Sequence, residues 1–301
     1  MKIFLTGATG FIGRRLVERL QVEGHQLIGL ARTERSVKFL KDRGVQVHQG
    51  DLQQLDSLKS GAANADVVIH TAMPNPEDFS DLSELGHIAI QAQAALIEGL
   101  SGKNKILIAT SGAGPYGDTG QDLVDETSPF ATQASTQLFG VIEKQLLNAS
   151  SEGVRGIVIR PSIVYGHGGS YPVVTLIQSI QRRGYGYYVE GIDSHISTVH
   201  VDDLVDLYLL NLEQQPVGEL FNAVGEIVST RDLVASAMVA AKVNGDMRPI
   251  NVEEAMRTGF VGQYMAGNMR VSAEKAKRML GWKPNRISIL DDLKVGSYQH
   301  L

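Results

Sequence analysis

The chain has 301 residues, 43% hydrophobic and 20% charged, with 28 basic against 33 acidic side chains and a net charge of −5. That balance is ordinary for a globular protein, and without a basic run it lacks the clustered positive face that nucleic acid requires. Cysteine is absent, which excludes disulfides, thiol nucleophiles and cysteine metal sites.

An apolar strand is predicted over 2–6, from the first residues onward. No apolar run approaches the ~20 residues of a membrane span. The expectation is therefore a cytoplasmic protein with no membrane partner that acts on a small molecule. The strand runs into Gly7-Ala8-Thr9-Gly10-Phe11-Ile12-Gly13 and then a helix over 11–23. Gly7 permits a tight turn, Gly10 lets the backbone approach a pyrophosphate, and Gly13 lets helix and strand pack closely. The helix start aims N–H groups and its positive dipole end at the phosphates. Thr9, Phe11 and Ile12 share this turn and are read with the glycines as cofactor-binding residues.

A second strand over 26–30 ends Leu30-Ala31-Arg32-Thr33. An NAD enzyme places a carboxylate near here for the adenine ribose, yet no acid appears before Glu34. Arg32, with Arg14 at the helix start, suits a 2′-phosphate instead, because guanidinium grips phosphate in a forked, charge-assisted geometry. Arg35 is a weaker third candidate. NADP(H) is thus favoured over NAD(H).

Strands over 45–48, 66–70, 105–110 and 154–160 follow, with helices over 82–100 and 131–151 between them. Strands alternating with helices imply right-handed crossovers, hence a Rossmann-type α/β fold with a doubly wound parallel sheet. After Pro161 the pattern loosens into the glycine-rich stretches 166–169 and 184–191 and short helices over 230–241 and 272–280. The expected division is a dinucleotide-binding domain over 1–165, with 192–225 returning to it. A smaller C-terminal substrate cap covers 166–191 and 226–301. None of the eight histidines forms a helical pair with a carboxylate between, so no metal site is expected. His167 and His195 remain candidate pocket groups of the cap.

Several of these motifs, in order, resemble the extended short-chain dehydrogenase/reductase family, in its epimerase and dehydratase branch. The glycine turn is similar to the family's first motif, and Gly50-Asp51-Leu52 to its adenine-contacting turn. His70-Thr71-Ala72 resembles the segment passing beside the cofactor. Arg160-Pro161-Ser162-Ile163-Val164-Tyr165-Gly166 resembles the nicotinamide-side loop. The resemblance thereby adds Asp51, Leu52, Thr71, Ala72, Pro161 and Ile163 to the cofactor residues. His200-Val201-Asp202-Asp203 and Leu280-Gly281-Trp282-Lys283-Pro284 resemble its C-terminal signatures. From their own positions Asp202 reads as the N-cap of a helix starting at Asp203, and Trp282 as packing.

Such a family implies a catalytic tyrosine four residues before a lysine, helped by an upstream hydroxyl. The tyrosine exchanges a proton and the lysine lowers its pKa. No tyrosine here has that lysine. One register of the helix over 131–151 puts Ser135 and Phe139 at the two positions, and the register that keeps Lys144 puts Gly140 at the tyrosine position. The remaining candidates are Tyr116, Ser111 and Tyr165, which follow the fifth and sixth strands, with Tyr116 favoured as acid. Three readings stay open: an NADP(H)-dependent reductase of a small carbonyl or conjugated compound, a non-catalytic NADP(H)-binding sensor, and a sugar-nucleotide epimerase or dehydratase. The oligomeric state is open as well.

Overall fold

The computed structural model describes residues 1–74, 82–257 and 260–301. Strands and helices alternate first as β1 (Lys2–Thr6), α1 (Phe11–Val22), β2 (Gln26–Ala31), α2 (Glu34–Lys41), β3 (Gln46–Gln49), α3 (Leu55–Ala63), β4 (Val67–His70), α4 (Leu82–Leu100), β5 (Lys105–Thr110), α5 (Ala134–Leu147) and β6 (Val154–Pro161). The chain continues through β7 (Ile163–Tyr165), α6 (Tyr171–Arg183), β8 (Tyr187–Val189), β9 (His195–His200), α7 (Val201–Gln214) and β10 (Glu219–Ala223). It ends with β11 (Glu226–Ser229), α8 (Thr230–Ala240), β12 (Arg248–Ile250), α9 (Val252–Arg257), α10 (Phe260–Met265), α11 (Glu274–Leu280) and α12 (Ile289–Val295).

The main sheet has the order β10-β6-β5-β4-β1-β2-β3, and β1 to β6 pair in parallel throughout. Parallel neighbours need long crossovers, and the intervening helices supply them. Every residue of β4 is buried, as a strand covered on both faces requires. On α1 the buried residues Leu16, Val17 and Leu20 form one stripe, with Arg14 exposed outside it. Strand order reverses between β1 and β4, the switch point at whose carboxyl edge doubly wound folds bind ligands. Among the described residues no helix is long and apolar enough to cross a membrane.

The chain divides into two compact units, Met1–Gly112 with Thr132–Arg160 and Leu207–Phe221, and Ala113–Ala131 with Pro161–Asp206 and Asn222–Leu301. The second unit contains a three-stranded sheet, β11-β9-β7, and the pair β12-β8. These boundaries differ from the expected ones. Residues 113–131 and 161–165 join the second unit, and of 192–225 only Leu207–Phe221 joins the first. Long-range backbone bonds tie 113–131 to the second unit: the Thr119 N–H donates to Asn268 O at 2.8 Å and the Val124 N–H to Arg270 O at 3.0 Å.

Two local expectations are corrected. The helix over 131–151 is α5 from Ala134 to Leu147, after which the chain tightens into a 3-10 turn at Asn148–Glu152. Asp202 is not an N-cap, because α7 already starts at Val201. The His200 Nδ1 accepts the Asp202 N–H at 3.1 Å and does the capping instead. Trp282 is buried, with its Nε1–H donating to Asp203 O at 2.8 Å.

Candidate cofactor and active site

The first unit presents the glycine turn at the carboxyl end of β1. Gly7 has φ +74°, and a Cβ there would stand 2.6 Å from Thr71 Oγ1 and 2.8 Å from Ala72 N. A Cβ on Gly13 would stand 2.0 Å from Gly7 O. The turn is built so that β1, α1 and the segment after β4 touch backbone to backbone. Gly10 is the N-cap of α1 in extended geometry, without a side-chain cap bond, and this leaves the helix start able to receive an anion. Phe11 and Ile12 begin that helix, both half-buried.

Beside the turn lies a cleft of about 670 Å³, within the range of small-molecule sites. Gly7, Thr9, Arg32, Asp51, Leu52 and Ala72 line it, so the structure brings six expected residues together. Thr33 and Ser36 also line it, and sequence reading missed them. They form a capping box at the start of α2, with Ser36 N–H to Thr33 Oγ1 at 3.2 Å and Thr33 N–H to Ser36 Oγ at 2.9 Å. Hydroxyls spaced three apart at a helix start carry that signal. Asp51 Oδ1 accepts the N–H groups of Gln53 (2.8 Å) and Gln54 (3.0 Å), so it caps its own turn. Arg14 is not among the lining residues. Its Nε–H donates to Thr9 O at 2.8 Å and its guanidinium lies 4.9 Å from the Phe39 ring centroid.

Beyond β4, Thr71 Oγ1 donates to Thr6 O at 2.9 Å. His70 is buried with Nδ1 2.7 Å from Thr6 Oγ1, and burial pushes its pKa down to about 4. It is neutral at pH 7. Just after β5, Ser111 has a buried Oγ without a hydrogen-bond partner among the described residues. In α5, Phe139 is half-buried, Glu143 buried and Lys144 exposed, while the Ser135 side chain lies outside the described residues. Glu143 forms a buried ion pair with Arg160, which sequence reading did not foresee.

The second unit contains the other expected groups. The Tyr116 hydroxyl is buried between two acceptors, Asp125 O at 2.9 Å and Asn222 Oδ1 at 3.1 Å. Its single proton is thereby engaged in anchoring the turn. Tyr165 faces Ile287 O at 2.8 Å and Glu226 Oε1 at 3.1 Å. Burial, and then the Glu226 carboxylate, push its phenol up, which makes it a weaker acid. Pro161 and Ile163 are buried. Ile163 lines an apolar hollow with Pro172, Leu176, Ile196, Leu233 and Met265, where the polar side chains are Thr230 and Tyr264. His167 and His195 are not among its lining residues. His167 instead pairs with Asp202.

The model of the NAD dependent epimerase/dehydratase family matches residues 3–223. An uncharacterized protein of Schizosaccharomyces pombe is 31% identical over 301 residues, covering 99% of this chain and 100% of its own. The 4-hydroxy-2-methyl-3-oxo-4-farnesyl-3,4-dihydroquinoline-1-oxide ketoreductase of Stigmatella aurantiaca is 25% identical over 273 residues, covering 88% of this chain and 80% of its own. Among solved structures, UDP-glucose 4-epimerase of Thermotoga maritima superposes with TM-score 0.81 at 20% identity, covering 100% of this chain and 98% of its own.

Proposed function

The chain belongs to the NAD dependent epimerase/dehydratase family, and from that membership and the geometry above we propose that it is an NADP(H)-dependent oxidoreductase reducing a small carbonyl or conjugated compound. The cofactor choice rests on the cleft beyond β2, where Arg32 stands with the hydroxyls of Thr33 and Ser36. Asp51, the carboxylate among the described lining residues, is engaged by its own turn through Oδ1. A guanidinium with two hydroxyls suits a 2′-phosphate; a free 2′-hydroxyl calls for a carboxylate.

A bound nicotinamide supplies hydride chemistry of its own, and the protein's part is to position and polarise the partner. Ser111 is assigned the substrate oxygen, because its hydroxyl is buried without a partner among the described residues. Serine is a weak acid, so Ser111 orients the carbonyl by donating a hydrogen bond while water delivers the proton. Lacking a general acid forgoes about 10²–10⁴-fold in rate, or roughly 3–5 kcal/mol of barrier. Proximity contributes ~7–11 kcal/mol, so turnover survives without the tyrosine–lysine pair.

Carbonyl reduction is favoured by the ketoreductase name of the Stigmatella relative. Sugar-nucleotide epimerisation is the second reading, suggested by the fold shared with the Thermotoga enzyme. Against it, among the described residues no cationic side chain lines the apolar hollow of the second unit to hold a diphosphate. The test is calorimetric titration with NADPH and NADH, followed by NADPH oxidation across ketones, enones and UDP-glucose. Tighter NADPH binding with oxidation by a ketone or enone supports the proposal. Equal or tighter NADH binding defeats the cofactor choice, and binding without turnover on any compound favours a sensor.

A further inference from the structure

Outside the cleft, the second unit gathers three side chains able to ligate a metal from two stretches of the sequence. His167 comes from the turn after β7, His200 from the end of β9 and Asp202 from the first turn of α7. We propose that His167 Nε2, His200 Nδ1 and Asp202 Oδ2 form a binding site for one borderline transition-metal ion of the Zn²⁺ class, which fastens the loop after β7 to the start of α7.

The spacing suits such an ion. One ligand atom from each residue lies within 4.8 Å of the others. His167 Nε2 is 2.9 Å from Asp202 Oδ2, and His200 Nδ1 is 3.9 Å from the same oxygen. A tetrahedral ion with bonds of about 2.0–2.1 Å spaces its ligands about 3.3 Å apart, between those two separations. The two separations from Asp202 need shifts of about half an ångström to reach it. The His200 and His167 ligand atoms, within 4.8 Å of each other, close as the exposed His167 ring moves inward, and water takes the fourth position.

The three groups are also held in place. His167 sits at φ 50° between Gly166 at φ 119° and Gly168 at φ 65°, a run that only outside contacts can hold. Tyr298 OH accepts the Gly166 N–H at 2.9 Å and donates to Gly169 O at 2.7 Å. Ser297 Oγ accepts the Gly168 N–H at 2.8 Å and donates to Asp292 Oδ2 at 3.0 Å. The His200 ring stands edge-on to Tyr165 with centroids 5.3 Å apart. Its Nδ1 carries no proton, since it accepts the Asp202 N–H. Metal binding therefore exchanges that weak capping bond, together with the His167 Nε2–H bond to Asp202 Oδ2, for coordinate bonds, and the proton leaves Nε2 as the ion enters. Two imidazoles and one carboxylate select Zn²⁺ or Co²⁺ over Mg²⁺ or Ca²⁺, which prefer oxygen ligands.

The experiment uses the full chain without an affinity tag, titrated with ZnCl2 by calorimetry and with CoCl2 by visible absorption at neutral pH. The expected result is one equivalent of Zn²⁺ per chain, tetrahedral Co²⁺ bands, and no competition from MgCl2. His167→Gln and Asp202→Asn should each weaken binding about tenfold or more, since even outer-sphere losses cost that much. Zn²⁺ should raise the melting temperature of the wild type and not of His167→Gln. His167 is exposed, so that variant decides the matter alone if Asp202→Asn fails to fold. Absence of stoichiometric binding, or wild-type affinity in His167→Gln, overturns the proposal and leaves an ordinary His167–Asp202 hydrogen bond.

Discussion

Glu143 and Arg160 meet inside the first unit in a two-pronged ion pair, Nε to Oε1 at 2.8 Å and Nη2 to Oε2 at 2.5 Å, with side chains 3% and 8% exposed. The pair joins α5 to the end of β6. Removing one partner strands the other as a buried charge, which costs about 3–5 kcal/mol. Glu143→Ala should therefore lower the urea midpoint sharply, whereas joint replacement of Glu143 and Arg160 by Leu and Met should restore most of the loss. A wild-type midpoint in Glu143→Ala would refute this account.

Arg32→Ala tests the cofactor reading at a single side chain. Losing a charge-assisted bond to phosphate is worth about 1.5–3 kcal/mol, so NADPH affinity should fall about 10–100-fold with NADH affinity nearly unchanged. Equal losses for both cofactors would show that Arg32 does not read the 2′-phosphate.

The glycine turn offers an internal control. A Cβ on Gly13 meets a backbone oxygen at 2.0 Å, whereas a Cβ on Gly10 meets its nearest atom, the same oxygen, at 3.2 Å. Gly13→Ala should thus cost more stability than Gly10→Ala, because neither α1 nor the turn can move without breaking the other's contacts. Gly10→Ala should act chiefly on cofactor affinity. Thermal melts with and without NADPH separate the two effects.

His70 gives the protein an acid-sensitive element. Its pKa falls from 6.5 in the unfolded chain to about 4 in the fold, through burial. Between those values the unfolded state binds the extra proton, so stability is whole above about pH 6.5 and declines as pH falls toward 4. The span corresponds to about 3 kcal/mol. In His70→Asn, whose amide can still face Thr6, that share of the pH dependence should vanish from urea unfolding curves at pH 7 and pH 4.5. An unchanged difference between the two pH values would move the effect to other groups.

The hydroxyls divide by their partners. Ser111→Ala should lower kcat with little effect on the melting temperature, since its Oγ bonds none of the described residues. Tyr116→Phe should do the reverse, losing about 1–3 kcal/mol of stability by leaving a buried acceptor unpaired, because Asn222 and Asp125 face its hydroxyl. If Tyr116→Phe lowers kcat while the melt is unchanged, the phenol is the acid after all.

What the sequence determined by itself is local: the β1–turn–α1 unit, the alternation that makes the sheet parallel, and the acid missing after β2. Each depends on neighbours within one turn, strand or helix, where spacing dictates geometry. Tertiary structure alone decided what lies far apart along the chain. Val124 pairs with Val271, 147 positions on, and the Tyr116 hydroxyl meets Asn222, 106 positions on. No periodicity announces a bond such as Glu143–Arg160 or a cluster such as His167, His200 and Asp202. Those meetings depend on how separate elements pack, and packing is set by the whole buried surface rather than by any stretch of it.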